Sequence, residues 1–149
     1  MPAHAWWLLA LPFLAGAVLP LQSGINGQLG KAVSSVLAAA LLSFLVGSLA
    51  LLLIVLAQRE VPSLAALKGL TWWHWSGGLL GAFFITSAAF AGPRIGALLF
   101  MALVLAGQLA MALTLDHFGW AGFRQAAASP GKIAGLVLIL VGIWFIRRG

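Results

Sequence analysis

Long apolar runs alternate along the chain with short segments that carry the charged residues. The runs free of Lys, Arg, Asp and Glu cover residues 5–30, 32–58, 69–93, 95–115 and 133–146. The first four exceed the roughly 20 residues with which a helix crosses about 30 Å of hydrocarbon. We extend the fifth span to residues 130–147, because Pro130 suits a first helical turn and the Lys132 ammonium can reach the interface.

Each run is apolar around its whole circumference and does not alternate with polar residues, which favours helices over a β-barrel. The connections between the runs are short and leave no room for a soluble domain. The sequence therefore predicts an all-α integral membrane protein, with five transmembrane helices in one domain covering residues 1–149.

Composition supports a membrane location and excludes several classes of function. The chain is 63% hydrophobic and 7% charged, which is too apolar for a soluble domain of 149 residues. Its net charge of +6 comes from Lys and Arg residues scattered over separate loops, so they form no patch for nucleic acid. There is no Cys or Tyr and there are two acidic residues and three His, so we expect no enzyme, no metal site and no cofactor.

The Lys and Arg residues are divided equally between the two membrane sides that five spans define. This equality removes the usual bias that keeps positive loops in the cytoplasm, so it predicts dual topology, with copies inserted in both orientations. The alternative is one fixed topology set by Arg147 and Arg148. The N-terminal side carries Arg59, Lys68, Arg124 and Lys132, and the other side carries Lys31, Arg94, Arg147 and Arg148.

An uncharged polar segment, PLQSGINGQLGK at residues 20–31, interrupts the first apolar run. Pro20 lacks an N–H and its ring clashes with the carbonyl of Gly16, so we expect a kink there, as at Pro12. Gln22 and Asn26 are four residues apart and share a helix face, with Ser23 on the neighbouring stripe. Kinked helices with polar groups at membrane depth are typical of transporter sites, so these three residues are predicted to bind substrate. The alternative is that they only form hydrogen bonds between helices.

Other neutral polar residues inside the runs are candidates to line the same cavity: Ser43, Thr86 and Gln108. Ser43 also forms a small-xxx-small pair with Gly47, which is an alternative sign of helix packing. In the last helix, Gly135, Leu138 and Gly142 recur at three- and four-residue intervals, and they form a groove that predicts close contact with another helix.

Several stretches together resemble the drug/metabolite transporter superfamily, and within it the short five-span YdcZ-like (EamA-related) family, over essentially the full chain. They are the segment 20–31, SFLVGSLALLL, the run from GGLLGAFFITSAAF to LDHFGW, and GLVLILVGI. The resemblance implies a transporter of ten helices in which two five-helix units are inverted relative to each other. For this chain it implies an antiparallel homodimer, or a pair with a paralogue, in the cytoplasmic (inner) membrane, with the last helix as a contact between protomers.

The chain departs from the related small multidrug exporters, which rely on a membrane-buried glutamate in the first helix. Here that helix has no acidic residue, Glu60 lies in a loop and Asp116 ends the fourth run. We therefore expect a secondary transporter that moves a small polar solute by alternating access, with a neutral, zwitterionic or anionic solute favoured over an organic cation. The alternatives are a dual-topology ion channel and a membrane subunit that does not transport.

Overall fold

The computed structural model describes the backbone of residues 6–149 and the side chains of residues 10–149, so residue 5 of the first predicted span lies outside it. In this part of the chain all regular structure is helical. The elements are α1 (Trp6–Ala32), α2 (Val36–Gln58), α3 (Leu64–Lys68), α4 (Trp72–Ile95), α5 (Ala97–Phe118), a 3₁₀ turn (Trp120–Gly122) and α6 (Pro130–Arg148).

Four of these helices, α2, α4, α5 and α6, are long and apolar enough to cross a membrane. Their bounds lie within four residues of the predicted spans. The remaining predicted span falls on α1, which has 27 residues and Lys31 as its one charged residue. That α1 also crosses the membrane stays a prediction.

Local hydrogen bonding explains where several helices begin and end. The Ser35 hydroxyl caps α2 by accepting from the Ala38 N–H at 3.1 Å, and the Ser129 hydroxyl caps α6 by accepting from the Lys132 N–H at 3.3 Å. Arg59 follows the end of α2 and Gly119 follows the end of α5, and both adopt the left-handed conformation that closes helices. The helix bounds thus follow from residues next to the apolar runs.

Two features of the helices differ from the simplest reading of the sequence. Helix α3, with five residues and a Ser63 cap, was not predicted and lies in the connection between α2 and α4. Helix α1 continues through Pro12 and Pro20, so neither proline ends it. The kink expected around Gly16 would therefore have to be a bend within one continuous helix.

The chain divides into two compact units, and the first covers Met1–Arg94. In its described part, α1 packs against α2 and also touches α4. The buried residues at these contacts are small, namely Ala39 and Ala40 on α2 and Ala88 and Ala89 on α4. Small residues let helix backbones approach closely, which is the usual way to pack helices where lipid provides no hydrophobic driving force.

The second unit covers Ile95–Gly149 and consists of α5 packed against α6. The connection between these helices is fastened to the end of α5. The Ala126 N–H donates to the Asp116 carbonyl at 2.7 Å, and the Ala128 N–H donates to the His117 Nδ1 at 3.2 Å. His117 therefore anchors this connection, which leads directly into the Ser129 cap of α6.

Candidate functional site

A cleft of about 430 Å³ lies between α1, α2 and α4, about halfway along these helices. We call it the mid-helix cleft. Gln22 follows the start of α1 by 16 residues and precedes its end by 10, which corresponds to about 24 Å and 15 Å of helix. The cleft is therefore far from both ends of α1. It is lined by Gln22, Ser43, Phe44, Gly47, Ser48, Leu51, Gly78 and Ile85.

The lining of the mid-helix cleft is uncharged and combines hydrogen-bonding groups with apolar walls. The Gln22 carboxamide supplies both donors and acceptors, and the hydroxyls of Ser43 and Ser48 each supply both. Phe44 and Ile85 provide apolar surface. The volume falls within the roughly 300–1,000 Å³ of small-molecule sites. This arrangement suits a small solute with polar groups on an apolar body.

Glycines provide the space in this cleft. A Cβ added at Gly47 or Gly78 would meet no atom within 4 Å. The backbone at Gly47 therefore faces open space in the cleft. Within the described chain, no other helix packs against Gly47, although the Ser43–Gly47 pair could have indicated such packing. Gly81 differs, because a Cβ there would lie 3.5 Å from the Phe44 Cζ, an ordinary contact distance. The Phe44 ring therefore lies close to α4 and leaves room for a methyl group at Gly81.

Beside the cleft, α1 and α4 are joined by a tight contact that we call the α1–α4 seam. The Ser23 side chain is buried and its hydroxyl donates to the Ala88 carbonyl at 2.9 Å. One turn further, a Cβ at Gly27 would lie 2.5 Å from the Pro93 Cγ, closer than atoms can approach. The Ser23 hydroxyl is thus engaged in the interhelical bond that the sequence allowed as an alternative to substrate binding.

Asn26 is the least satisfied polar residue of this region. It is 3% exposed, and its Nδ2 has no hydrogen-bond partner in the described part of the chain. An unpaired buried donor costs about 1–3 kcal/mol, so such groups call for an explanation such as a bound water or a functional role. Asn26 shares a face of α1 with Gln22, one turn away. The two carboxamides thus occupy different surroundings, one in an open cleft and one in packed protein.

The two other residues predicted to bind substrate are not among those that line the mid-helix cleft. Thr86 follows Ile85 on α4 and is half-buried, but it does not line the mid-helix cleft. Gln108 lies on α5 in the second unit and is exposed. The structure therefore brings Gln22 and Ser43 together and adds Ser48, which sequence reasoning missed. In the sequence, Ser48 could have been recognised as a second hydroxyl residue in α2, on the helix stripe next to Ser43 and Gly47.

In the second unit, the groove predicted on α6 is open in the single chain. A Cβ at Gly135 or at Gly142 would meet no atom within 4 Å, and Leu138 is 70% exposed. Gly135 lines a smaller cleft of about 330 Å³ between α5 and α6, together with Asp116 and Lys132. This face is therefore available to another helix.

The sequence matches the model of a protein family described as "Putative inner membrane exporter, YdcZ" over residues 6–145. The chain belongs to the YdcZ family of drug/metabolite transporters. It is 32% identical over 143 residues to "Inner membrane protein YdcZ" of Escherichia coli (strain K12), which covers 94% of this chain and 95% of that relative. No solved structure matches it. Membership of the YdcZ family makes this chain a multi-pass inner-membrane protein of a transporter family, which fits a non-enzyme.

Proposed function

We propose that this protein exports a small polar solute across the inner membrane by alternating access, and that the solute binds in the mid-helix cleft. The observation that carries the proposal is a cleft of solute size, lined by Gln22, Ser43 and Ser48, halfway along the helices of a YdcZ family member. Uncharged groups at this depth can exchange hydrogen bonds with water for hydrogen bonds with a solute without the cost of a buried ion.

In this proposal, the remaining predicted site residues hold helices together or extend the cavity. Ser23 holds α1 against α4 while the cleft faces one side of the membrane. Asn26 gains a partner when α1 moves and its carboxamide meets the solute or water. Thr86 completes the cavity when α4 moves, and Gln108 on α5 remains a predicted substrate-binding residue. Because no acidic residue lies in α1, exchange of a cation for protons at such a residue is not the mechanism we propose.

The transporter is proposed to be an inverted homodimer in which each chain contributes five spans as a single domain of residues 1–149. A paralogous partner would satisfy the same geometry. Two observations support the assembly: the four-to-four distribution of Lys and Arg, and the open groove at Gly135 and Gly142, with Leu138 exposed between them. Copies in both orientations would also place the mid-helix cleft symmetrically across the membrane.

The transport proposal is tested with purified protein. A thermal-shift screen of small solutes identifies ligands, and uptake of each ligand into proteoliposomes is then measured for wild type, Gln22→Leu and Gln28→Leu. Gln28 is the matched control because it lies on the same helix, is exposed and does not line the mid-helix cleft. We expect Gln22→Leu to lower uptake at least about fivefold, since a polar group of the solute would lose its partner.

Three outcomes of this experiment would contradict the proposal. Equal uptake by Gln22→Leu and wild type would remove the solute from the mid-helix cleft. Fast ohmic current in place of slow, saturable exchange would indicate an ion channel. No flux with any ligand would indicate a membrane subunit that does not transport.

The inverted dimer is tested separately by accessibility labelling in cells. Wild type has no Cys, so Pro2→Cys and Gly149→Cys each introduce one unique thiol. We expect each thiol to be labelled from both sides of the inner membrane. Labelling of each position from one side only would eliminate the dual-topology assembly while leaving the mid-helix cleft as a transport site.

A further inference from the structure

A second cleft of the first unit, of about 450 Å³, lies at the end of the same helices. We call it the terminal cleft. Its walls come from the end of α1, the turn into α2, the first residue of α2 and the end of α4. Among its lining residues are Gly30, Lys31, Ser35, Val36, Pro93 and Arg94. The terminal cleft therefore lies where spans α2 and α4 meet the level of the lipid headgroups.

The terminal cleft carries two positive charges and no negative one. Lys31 and Arg94 both line it, and the acidic residues of the chain, Glu60 and Asp116, do not. Arg94 donates one hydrogen bond to the Phe90 carbonyl, and its guanidinium lies 3.8 Å from the Phe90 ring centroid. This contact fixes the guanidinium at the cleft, while a guanidinium has five N–H donors in all. The Lys31 ammonium makes no hydrogen bond within residues 10–149.

Backbone donors add to the two charges, because helix α2 begins at this cleft. The Ser35 side chain satisfies the Ala38 N–H and the Ser35 carbonyl accepts from the Ala39 N–H. The N–H groups of Val36 and Leu37 precede these, and neither has a partner in the described part of the chain. Free amides at the start of a helix of 23 residues, together with the positive end of its dipole, favour an anion.

The interior next to the terminal cleft contains another donor without an acceptor. Asn26 precedes Gly30 by four residues and so lies on the same face of α1, one turn further from the end of the helix. It is 3% exposed and its Nδ2 is unpaired. Both charged side chains of the terminal cleft are cations, and together with the free amides at the start of α2 they call for a ligand that offers several acceptor oxygens.

We propose that the terminal cleft binds a phosphate-type oxyanion, with Lys31 and Arg94 as its charge partners and the Val36 and Leu37 amides as backbone donors. A tetrahedral phosphate suits donors that reach it from the ends of two helices and the start of a third. At this level of the membrane the phosphate can belong to a phospholipid headgroup or to a soluble phosphate. The site is independent of the solute bound in the mid-helix cleft.

The test is thermal unfolding of the purified full chain in dodecyl maltoside micelles, which carry no phosphate, and it does not depend on transport. One arm titrates inorganic phosphate against chloride at matched ionic strength. The other arm adds phosphatidylglycerol to the micelles without inorganic phosphate. Each arm compares wild type, the double variant Lys31→Gln with Arg94→Gln, and the control Arg59→Gln with Lys68→Gln, which removes two cations that do not line the cleft.

We expect the unfolding temperature of wild type and of the control to rise in at least one arm, and the double variant to bind roughly tenfold more weakly. A rise with inorganic phosphate identifies a soluble ligand, and a rise with phosphatidylglycerol alone identifies a lipid headgroup. No rise in either arm, or the same rise in the double variant, would overturn the proposal. If the double variant fails to fold by circular dichroism, the single variant Arg94→Gln takes its place under the same criteria.

Discussion

Replacing Gly27 by Ala should weaken the α1–α4 seam, because the structure leaves no room for a methyl group there. The new Cβ would lie 2.5 Å from the Pro93 Cγ and 3.6 Å from the Ala89 carbonyl oxygen. The Pro93 ring is closed and cannot rotate away as a flexible side chain would. The helices must therefore separate by nearly 1 Å before the contact becomes tolerable.

The size of this effect follows from two opposing terms. Overpacking of a tight contact costs about 1–3 kcal/mol, while Ala in place of Gly inside a helix gains about 0.5–1 kcal/mol. Gly24→Ala is the matched control, since it shares the second term and its Cβ would meet no atom within 4 Å. The difference between the two variants isolates the steric cost. At about 2–4 °C per kcal/mol, Gly27→Ala should unfold roughly 2–12 °C below Gly24→Ala.

Thermal unfolding of both variants in the same detergent measures this difference, with circular dichroism to check helix content. The cost should also be coupled to the Ser23–Ala88 hydrogen bond, which is one turn away in the same seam. Adding Ser23→Ala to Gly27→Ala should therefore cost less than the sum of the single changes, because the separation has already weakened that bond. Equal unfolding temperatures for Gly27→Ala and Gly24→Ala would refute the α1–α4 packing described above.

Two further predictions concern transport and orientation. Gly47→Leu should fill the mid-helix cleft and lower uptake about tenfold or more without lowering the unfolding temperature. Gly77→Leu is the control and should retain uptake, because a Cβ added at Gly77 also meets open space but Gly77 does not line the cleft. Equal loss of uptake in both variants would contradict the site. Arg147→Gln combined with Arg148→Gln leaves four cations on the N-terminal side against two on the other, so labelling at residue 149 should shift towards the periplasmic side. A distribution like that of wild type would show that the charge count does not determine the orientation.

The sequence predicts the positions of the helices well because charged residues separate the apolar runs. Helices α2, α4, α5 and α6 lie within four residues of the predicted bounds, and α6 begins at Pro130, as the extension of its short apolar run predicted. Helix α3 was missed because five residues with no charge pattern are too few for a periodic signal. Helix α1 continues through both prolines, so the kink expected there stays a prediction of a bend within one helix.

The candidate site was predictable only in part, because it depends on which helix faces meet. Gln22 and Ser43 were visible as polar residues at membrane depth, and the structure places both in one cleft. Ser48 was not singled out, because helices that are apolar on all sides do not indicate which stripe faces a neighbour. The different surroundings of Gln22 and Asn26 could not be predicted either, since residues four apart on one helix face can meet an open cleft at one turn and packed protein at the next.

The serine caps of the helices have a consequence for the proposed insertion in both orientations. Ser35, Ser63 and Ser129 each hold a helix start through a neutral hydroxyl, and none of these caps uses a carboxylate. A hydroxyl does not titrate between the acidity of the bacterial exterior and the buffered cytosol. Each of these helix starts would therefore keep its hydrogen bond in both compartments, so copies in the two proposed orientations would share one architecture.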